Sequence, residues 1–304
     1  MMYDVMPDVA KSVFTAKLQK PNGLSDDWLE LKQRKYSQEE HGIWDRLYKR
    51  QMDILPGLAC DQFFKGLKLL NFDKGGVPNF DDINKILKPL TGWTVVPVPM
   101  LIPDHVFFYH LANKRFPAGN FIRTNNQFDY IEEPDVFHDA FGHVPLLTDP
   151  DFAKYMQAYG KAGWKALQYN HLKSLSALYW YTVEFGLMNT DEGMRIYGAG
   201  ILSSPEESPY SLKAKSPNRL HLNVDRVMRT DYKIDDLQAS YFVINHFEEL
   251  FNLTEARPFD DIYQNIGPSF QYAPAALLDT DHVYQRGTQE YCLRGGHASG
   301  ATPV

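Results

Sequence analysis

A predominantly helical α+β domain with a few short strands is the fold class this sequence predicts, and three observations carry that reading. Apolar residues recur at helical spacing, as in Ile43, Trp44, Leu47, Tyr48 and Met52. Stretches suited to extended backbone are few and short: Thr94 to Val98, Tyr232 to Ile234 and Tyr241 to Ile244. A chain of 304 residues, 44% of them hydrophobic and 23% charged, can bury one large core, so a single domain is expected.

Residues 1–36 mix polar groups with Pro21, Asn22 and Gly23, and are expected to form a loosely packed N-terminal arm. The folded domain is expected over 37–255. It opens with a capping box, Ser37 and Glu40, ahead of an amphipathic helix. Helices are expected at Cys60 to Leu70, at Phe80 to Leu87 after Pro78-Asn79, and at Pro103 to Lys114, where proline suits the first turn. Pro134 and Asp135 open a short helix, Asp151 to Gln168 forms another, and Leu172 to Met188 a longer one. Gly198-Ala-Gly200 and Ser203-Ser-Pro205 mark irregular backbone. Val224 to Arg229 and His246 to Leu253 read as the closing helices, and 256–304 as a C-terminal tail, partly disordered.

A net charge of −7 and the lack of any long basic run argue against nucleic acid and anionic membrane as partners. Two distant cysteines, Cys60 and Cys292, cannot build a disulfide framework or a thiolate cluster. A cytoplasmic setting is expected. The N-terminus lacks the pattern of a signal peptide, and prolines interrupt the longest apolar run, near Trp93 to Pro103.

The chemistry-bearing residues are His138, His143 and Glu184. Two imidazoles and a carboxylate, without thiolate, suit a divalent ion such as Fe(II) held on one face with positions left open. On an ideal helix, residues five apart stand ~140° apart, too far round to share an ion comfortably. The helix is therefore expected to end at Gly142, in a left-handed conformation, with His143 turning back toward His138. The helical neighbours of Glu184 are Ala177, Trp180, Tyr181 and Met188, so its carboxylate needs a partner. A cation would serve; so would an arginine such as Arg123 or Arg195, with both histidines merely structural. The spacing differs from that of zinc proteases, whose histidines lie four apart around a general-base Glu.

The runs Glu133-Pro-Asp135, His138 through Leu146, Tyr179 through Gly186 and Tyr197 through Ser204 closely resemble the tetrahydrobiopterin-dependent aromatic amino acid hydroxylases, above all their short bacterial members. The similarity extends over roughly residues 37 to 255, which it implies to be the catalytic domain. It further implies that His138, His143 and Glu184 bind one non-haem Fe(II), and that L-phenylalanine, O2 and tetrahydrobiopterin or another reduced pterin give L-tyrosine. Arg123, fifteen residues before His138, takes the position of the residue that grips the substrate carboxylate. Trp180, Phe185, Gly200 and Ser203 fall where the family builds its substrate pocket, with Pro134 at the rim. Leu101, Ile102, Phe107, Asp139 and Tyr179 fall on the pterin side, Phe107 as the stacking ring.

Neither an amino-acid-binding regulatory domain before residue 37 nor a long heptad helix after 255 is expected, so a monomer or weak homodimer is anticipated. Tryptophan or tyrosine hydroxylation stays open as an alternative. So do two readings of other classes, a zinc hydrolase using the same three residues and a non-catalytic phenylalanine-binding protein.

Overall fold

A computed structural model describes residues 31–99, 102–131, 133–255, 259–267 and 269–293. Helix α1 (Gln38–Ile54) starts where the sequence places it, with the Ser37 hydroxyl and the Glu40 carboxylate exchanging the two capping hydrogen bonds. Helix α2 (Asp61–Leu69) follows, and α3 (Phe80–Thr91) begins on the Asn79 side chain and stops at Gly92 in the left-handed region, φ 83°. Pro89 is tolerated inside its last turns. Strand β1 (Thr94–Val98), α4 (Asp104–Ala112) and β2 (Arg115–Gly119) form a small parallel pair joined by a helical crossover.

The segment Phe137–His143 is a π-helix, and α5 (Pro150–Tyr169) follows, capped by the Asp149 side chain. Helix α6 (Leu172–Tyr179) passes into a second π-helical turn, Trp180–Glu184, and stops there. The single long helix expected over Leu172 to Met188 is thus cut short. Gly186 leads into β3 (Leu187–Thr190), which pairs antiparallel with β4 (Gly193–Ile196). Helices α7 (Ala199–Leu202) and α8 (Glu207–Lys213), strand β5 (Asn218–His221), helix α9 (Val224–Val227) and strand β6 (Ser240–Ile244) come next. Tyr232 to Ile234, expected as a strand, is irregular backbone that enters a bend. Helices α10 (Phe247–Glu255) and α11 (Phe259–Asn265), strand β7 (Val283–Gln285) and α12 (Glu290–Leu293) complete the described part.

The larger sheet runs β4-β3-β6-β5-β7. Every residue of its central strand β6 is buried, as suits a strand covered on both faces. Strand β7 extends the sheet from within the segment expected as a tail, and Arg226 explains why that segment returns. Its buried guanidinium needs a counter-charge, and Asp281 supplies it at 3.2 Å. Residues 31–36, expected as part of the loose arm, are also pinned: Gln33 accepts from the Phe80 N–H at 2.8 Å and Arg34 bonds Asn120. The arm proper, 1–30, and the end, 294–304, lie outside the described residues. Among those described, no helix is long and apolar enough to cross a membrane.

Aromatic packing fixes the first π-helix from behind. Phe137 and Phe141, one turn apart, stack at 4.7 Å, while Trp44 of α1 and Phe63 of α2 meet them edge-on at 5.2 and 5.3 Å. This anchors one face in the core and turns the histidine face outward.

Candidate active site

The π-helix settles how His138 and His143 come together, and it corrects the expected helix stop. In an i→i+5 helix the wider turn brings residues five apart round to one face, so both imidazoles leave the same side without any break between them. Gly142 does not take a positive φ. It is small because α7 crosses it: a Cβ there would lie 3.0 Å from both the Cβ and the carbonyl oxygen of Ala199.

Glu184 closes the set. Its Oε1 lies 3.1 Å from His143 Nε2, its Oε2 3.5 Å from His138 Nε2, and the two Nε2 atoms are 3.2 Å apart. Donors ~2.1 Å from one ion and at right angles to each other stand about 3 Å apart, so these three side chains fit one cation in a facial arrangement. The arginine alternatives go elsewhere: Arg123 pairs with Asp135 and Arg195 with Glu192. Burial opposes the Glu184 charge, but the two imidazoles outweigh it and hold the carboxyl far below its usual value. The second π-helical turn ends on this residue. Gly198 lets the following chain fold back beneath it, since a Cβ there would meet the Glu184 carbonyl oxygen at 2.3 Å.

Ser203 orients His138. Its hydroxyl donates to the Ala199 carbonyl at 2.8 Å, which leaves it only an acceptor for the His138 Nδ1 proton at 2.9 Å. With the proton held on Nδ1, the Nε2 lone pair faces Glu184 and His143.

Two cavities meet at His138 and Glu184. One, of about 320 Å³, is lined by Arg123, Pro134, His138, Trp180, Glu184, Phe185, Gly200 and Ser203, and so gathers every residue expected on the substrate side. The other, of about 230 Å³, is lined by Ile102, Phe107, Asp139 and Tyr179, together with Pro134, His138, His143 and Glu184. Leu101 lies outside the described residues. Phe107 and Tyr179 pack edge-on at 5.7 Å, and Asp139 accepts the Gly119 N–H at 2.6 Å. Burial raises the Asp139 carboxyl.

Sequence reasoning missed Asp135. Fully buried, it takes Arg123 Nε and Nη2 at 2.9 and 3.0 Å, the Arg123 backbone N–H at 2.9 Å and the His138 N–H at 3.1 Å. Burial works against its charge, and these donors prevail, keeping the carboxyl below its usual value. One carboxylate thereby couples the cavity's arginine to the histidine turn. An aspartate just ahead of a helix, after proline, was the available signal. Glu207, which lines the same cavity from beyond residue 204, and Gln238, which bonds its wall residue Trp180, carried no local signal.

Comparison with known proteins agrees with this geometry. Residues 28–267 match the family model of the biopterin-dependent aromatic amino acid hydroxylases. The phenylalanine-4-hydroxylase of Caulobacter vibrioides is 53% identical over 92% of this chain and 96% of its own. Among solved structures, Chromobacterium violaceum phenylalanine hydroxylase with iron and phenylalanine bound superposes with a TM-score of 0.80 at 49% identity, covering 86% of this chain and 96% of that one. Its cobalt-bound form gives 0.82 at 48% identity, covering 92% and 99%. The chain belongs to the biopterin-dependent aromatic amino acid hydroxylase family.

Proposed function

We propose that this enzyme is a phenylalanine 4-monooxygenase, converting L-phenylalanine to L-tyrosine with O2 and a reduced pterin at a non-haem Fe(II) centre. The observation that carries the reading is the meeting of two cavities, one walled by Trp180 and Phe185, the other by Phe107 and Tyr179, at the His138–His143–Glu184 face. The relatives named for phenylalanine hydroxylation support the choice of substrate.

His138, His143 and Glu184 would hold the iron, which together with the pterin supplies the activation of O2. The chain's own residues bind and orient. Arg123 spends Nε and one Nη2 proton on Asp135 and one Nη1 proton on Phe128 O, so two N–H groups remain on its outer edge for the substrate carboxylate. Pro134, Trp180, Phe185 and Gly200 wall the ring, and burial among them excludes water from the reacting carbon. On the other side, Ile102 and the flat faces of Phe107 and Tyr179 suit a planar pterin, with Asp139 beside them. Leu101 is proposed for the same side.

The catalytic domain is proposed to extend beyond residue 255 to include β7, because that strand completes the sheet. A cytoplasmic monomer or weak homodimer acting on small molecules fits the two unpaired thiols and the acidic charge. The reading is tested by product analysis after iron-loaded protein meets each aromatic amino acid with O2 and tetrahydropterin. Tyrosine from phenylalanine, dependent on the pterin, is expected. Preferential hydroxylation of tryptophan or tyrosine, or no product, would overturn it.

A further inference from the structure

The wall of the larger cavity is tied to its lip by one buried amide. Trp180 donates its indole N–H to Gln238 Oε1 at 2.9 Å. The same side chain donates from Nε2 to the carbonyls of Lys233 and Asp236, at 3.0 and 3.1 Å. Those carbonyls belong to the bend that brings Ile234 and Leu237 to the lining of the cavity. Gln238 is 2% exposed, and its backbone N–H is held by Glu207, another lining residue, at 3.2 Å. Oε1 receives the wall while both Nε2 protons go to the lip.

Ordinary satisfaction of a buried amide does not account for this set of partners. Trp180 is only partly buried and faces the cavity, so the bond also orients the ring. The indole plane is further set by Tyr232, stacked on it at 4.9 Å, and by Phe185 at 4.6 Å, and Tyr232 lies at the start of the same bend. The Gln238 amide joins wall to lip by hydrogen bonds, beside the Tyr232 stack.

We propose that Gln238 is a positioning residue for substrate selection: by locking the Trp180 indole to the 233–236 bend, it fixes the width of the slot that admits a single ring and refuses a larger one. This rests on the aromatic substrate proposed above. A discrimination of this kind depends on a rigid wall, because size differences in an apolar pocket change selectivity only modestly, and a wall that yields erodes that margin.

Two variants test it in the iron-loaded full chain. Gln238→Met keeps the volume and removes both kinds of hydrogen bond. Replacing Trp180 by benzothienylalanine keeps the fused ring and removes only the N–H. For each, the affinities for phenylalanine and for tryptophan are measured by calorimetry, alongside kcat and KM, pterin KM and iron content. Both variants are expected to narrow the phenylalanine-over-tryptophan preference about fivefold or more, in binding and in kcat/KM, with iron content and pterin KM unchanged. The combined variant should lose no more than either alone. A preference within twofold of the parent in the benzothienylalanine protein, or losses that multiply in the combined variant, would overturn the proposal. Should Gln238→Met fail to fold, the benzothienylalanine protein decides alone. If the parent binds phenylalanine but forms no tyrosine, the proposed reaction falls while the binding preference still judges Gln238; if it binds neither amino acid, both fall.

Discussion

Replacing Ser203 with alanine should loosen the metal more than it loosens the fold. Ser203 is buried, and its hydroxyl sits between the Ala199 carbonyl and His138 Nδ1, at 2.8 and 2.9 Å. Alanine leaves the carbonyl and the imidazole in place but removes the acceptor that holds the proton on Nδ1. The His138 ring can then turn and take the other tautomer, which withdraws Nε2 from the point it shares with His143 and Glu184. Losing such an outer partner typically weakens metal affinity 10- to 100-fold, or ~1.4–2.7 kcal/mol, whereas one lost hydrogen bond costs folding about 1 kcal/mol. Because Ser203 also lines the substrate cavity, turnover is the wrong readout. Anaerobic titration of Fe(II) against a chromophoric chelator isolates the metal step. An affinity within twofold of the parent, in a variant that keeps its unfolding midpoint, would refute the reasoning.

Glu184→Ala should abolish stoichiometric Fe(II) binding, since it removes one of three donors and leaves two histidines against an apolar gap; one iron per chain on elemental analysis would contradict this. Arg123→Ala should raise the phenylalanine KM at least tenfold with iron retained, as the loss of charge-assisted bonds of ~1.5–3 kcal/mol requires; an unchanged KM would remove its carboxylate role. Gly142→Ala should lower stability by about 1–3 kcal/mol, because the new Cβ would meet Ala199 at 3.0 Å; an unchanged urea midpoint would count against the close crossing. Glu207 gives a pH dependence: burial pushes its carboxyl up to about 7 even though Tyr241 and Gln238 donate to it. The folded protein then keeps a proton that the unfolded chain gives up near its ordinary value, about 4.3, so the stabilising contribution is complete below that pH and is lost as pH rises to about 7. Over that window the parent should lose on the order of 3 kcal/mol relative to Glu207→Gln, measured by urea unfolding at pH 5 and pH 8; parallel curves would contradict the burial argument.

What the sequence shows of this fold depends on how local the cause is. Ser37, Asn79 and Asp149 each bond a backbone N–H two or three residues away, so short windows reveal the helix starts. The π-helical turns are invisible at that range. Phe137 to His143 has the residue types of an α-helix, and its packing partners, Trp44 and Phe63 among them, come from distant helices. Strand β5, Asn218-Arg-Leu-His221, has no alternating pattern; Arg219 is buried there because α8 and the loop after it offer the Ser211 and Ala214 carbonyls. The site divides the same way. His138, His143 and Glu184 stand out by type within dense motifs, while Asp135 and Gln238 act through partners up to 58 positions away.

The central claim is that one i→i+5 turn aims two histidines at a single iron, which Glu184 completes between two cavities. Iron-edge anomalous diffraction from crystals of the Fe(II)-loaded protein with phenylalanine tests it most directly. One peak is expected ~2.0–2.2 Å from His138 Nε2, His143 Nε2 and a Glu184 oxygen, with the phenyl ring between Trp180 and Phe185. An iron bound through other residues, or a ring lodged against Phe107 and Tyr179 instead, would contradict it.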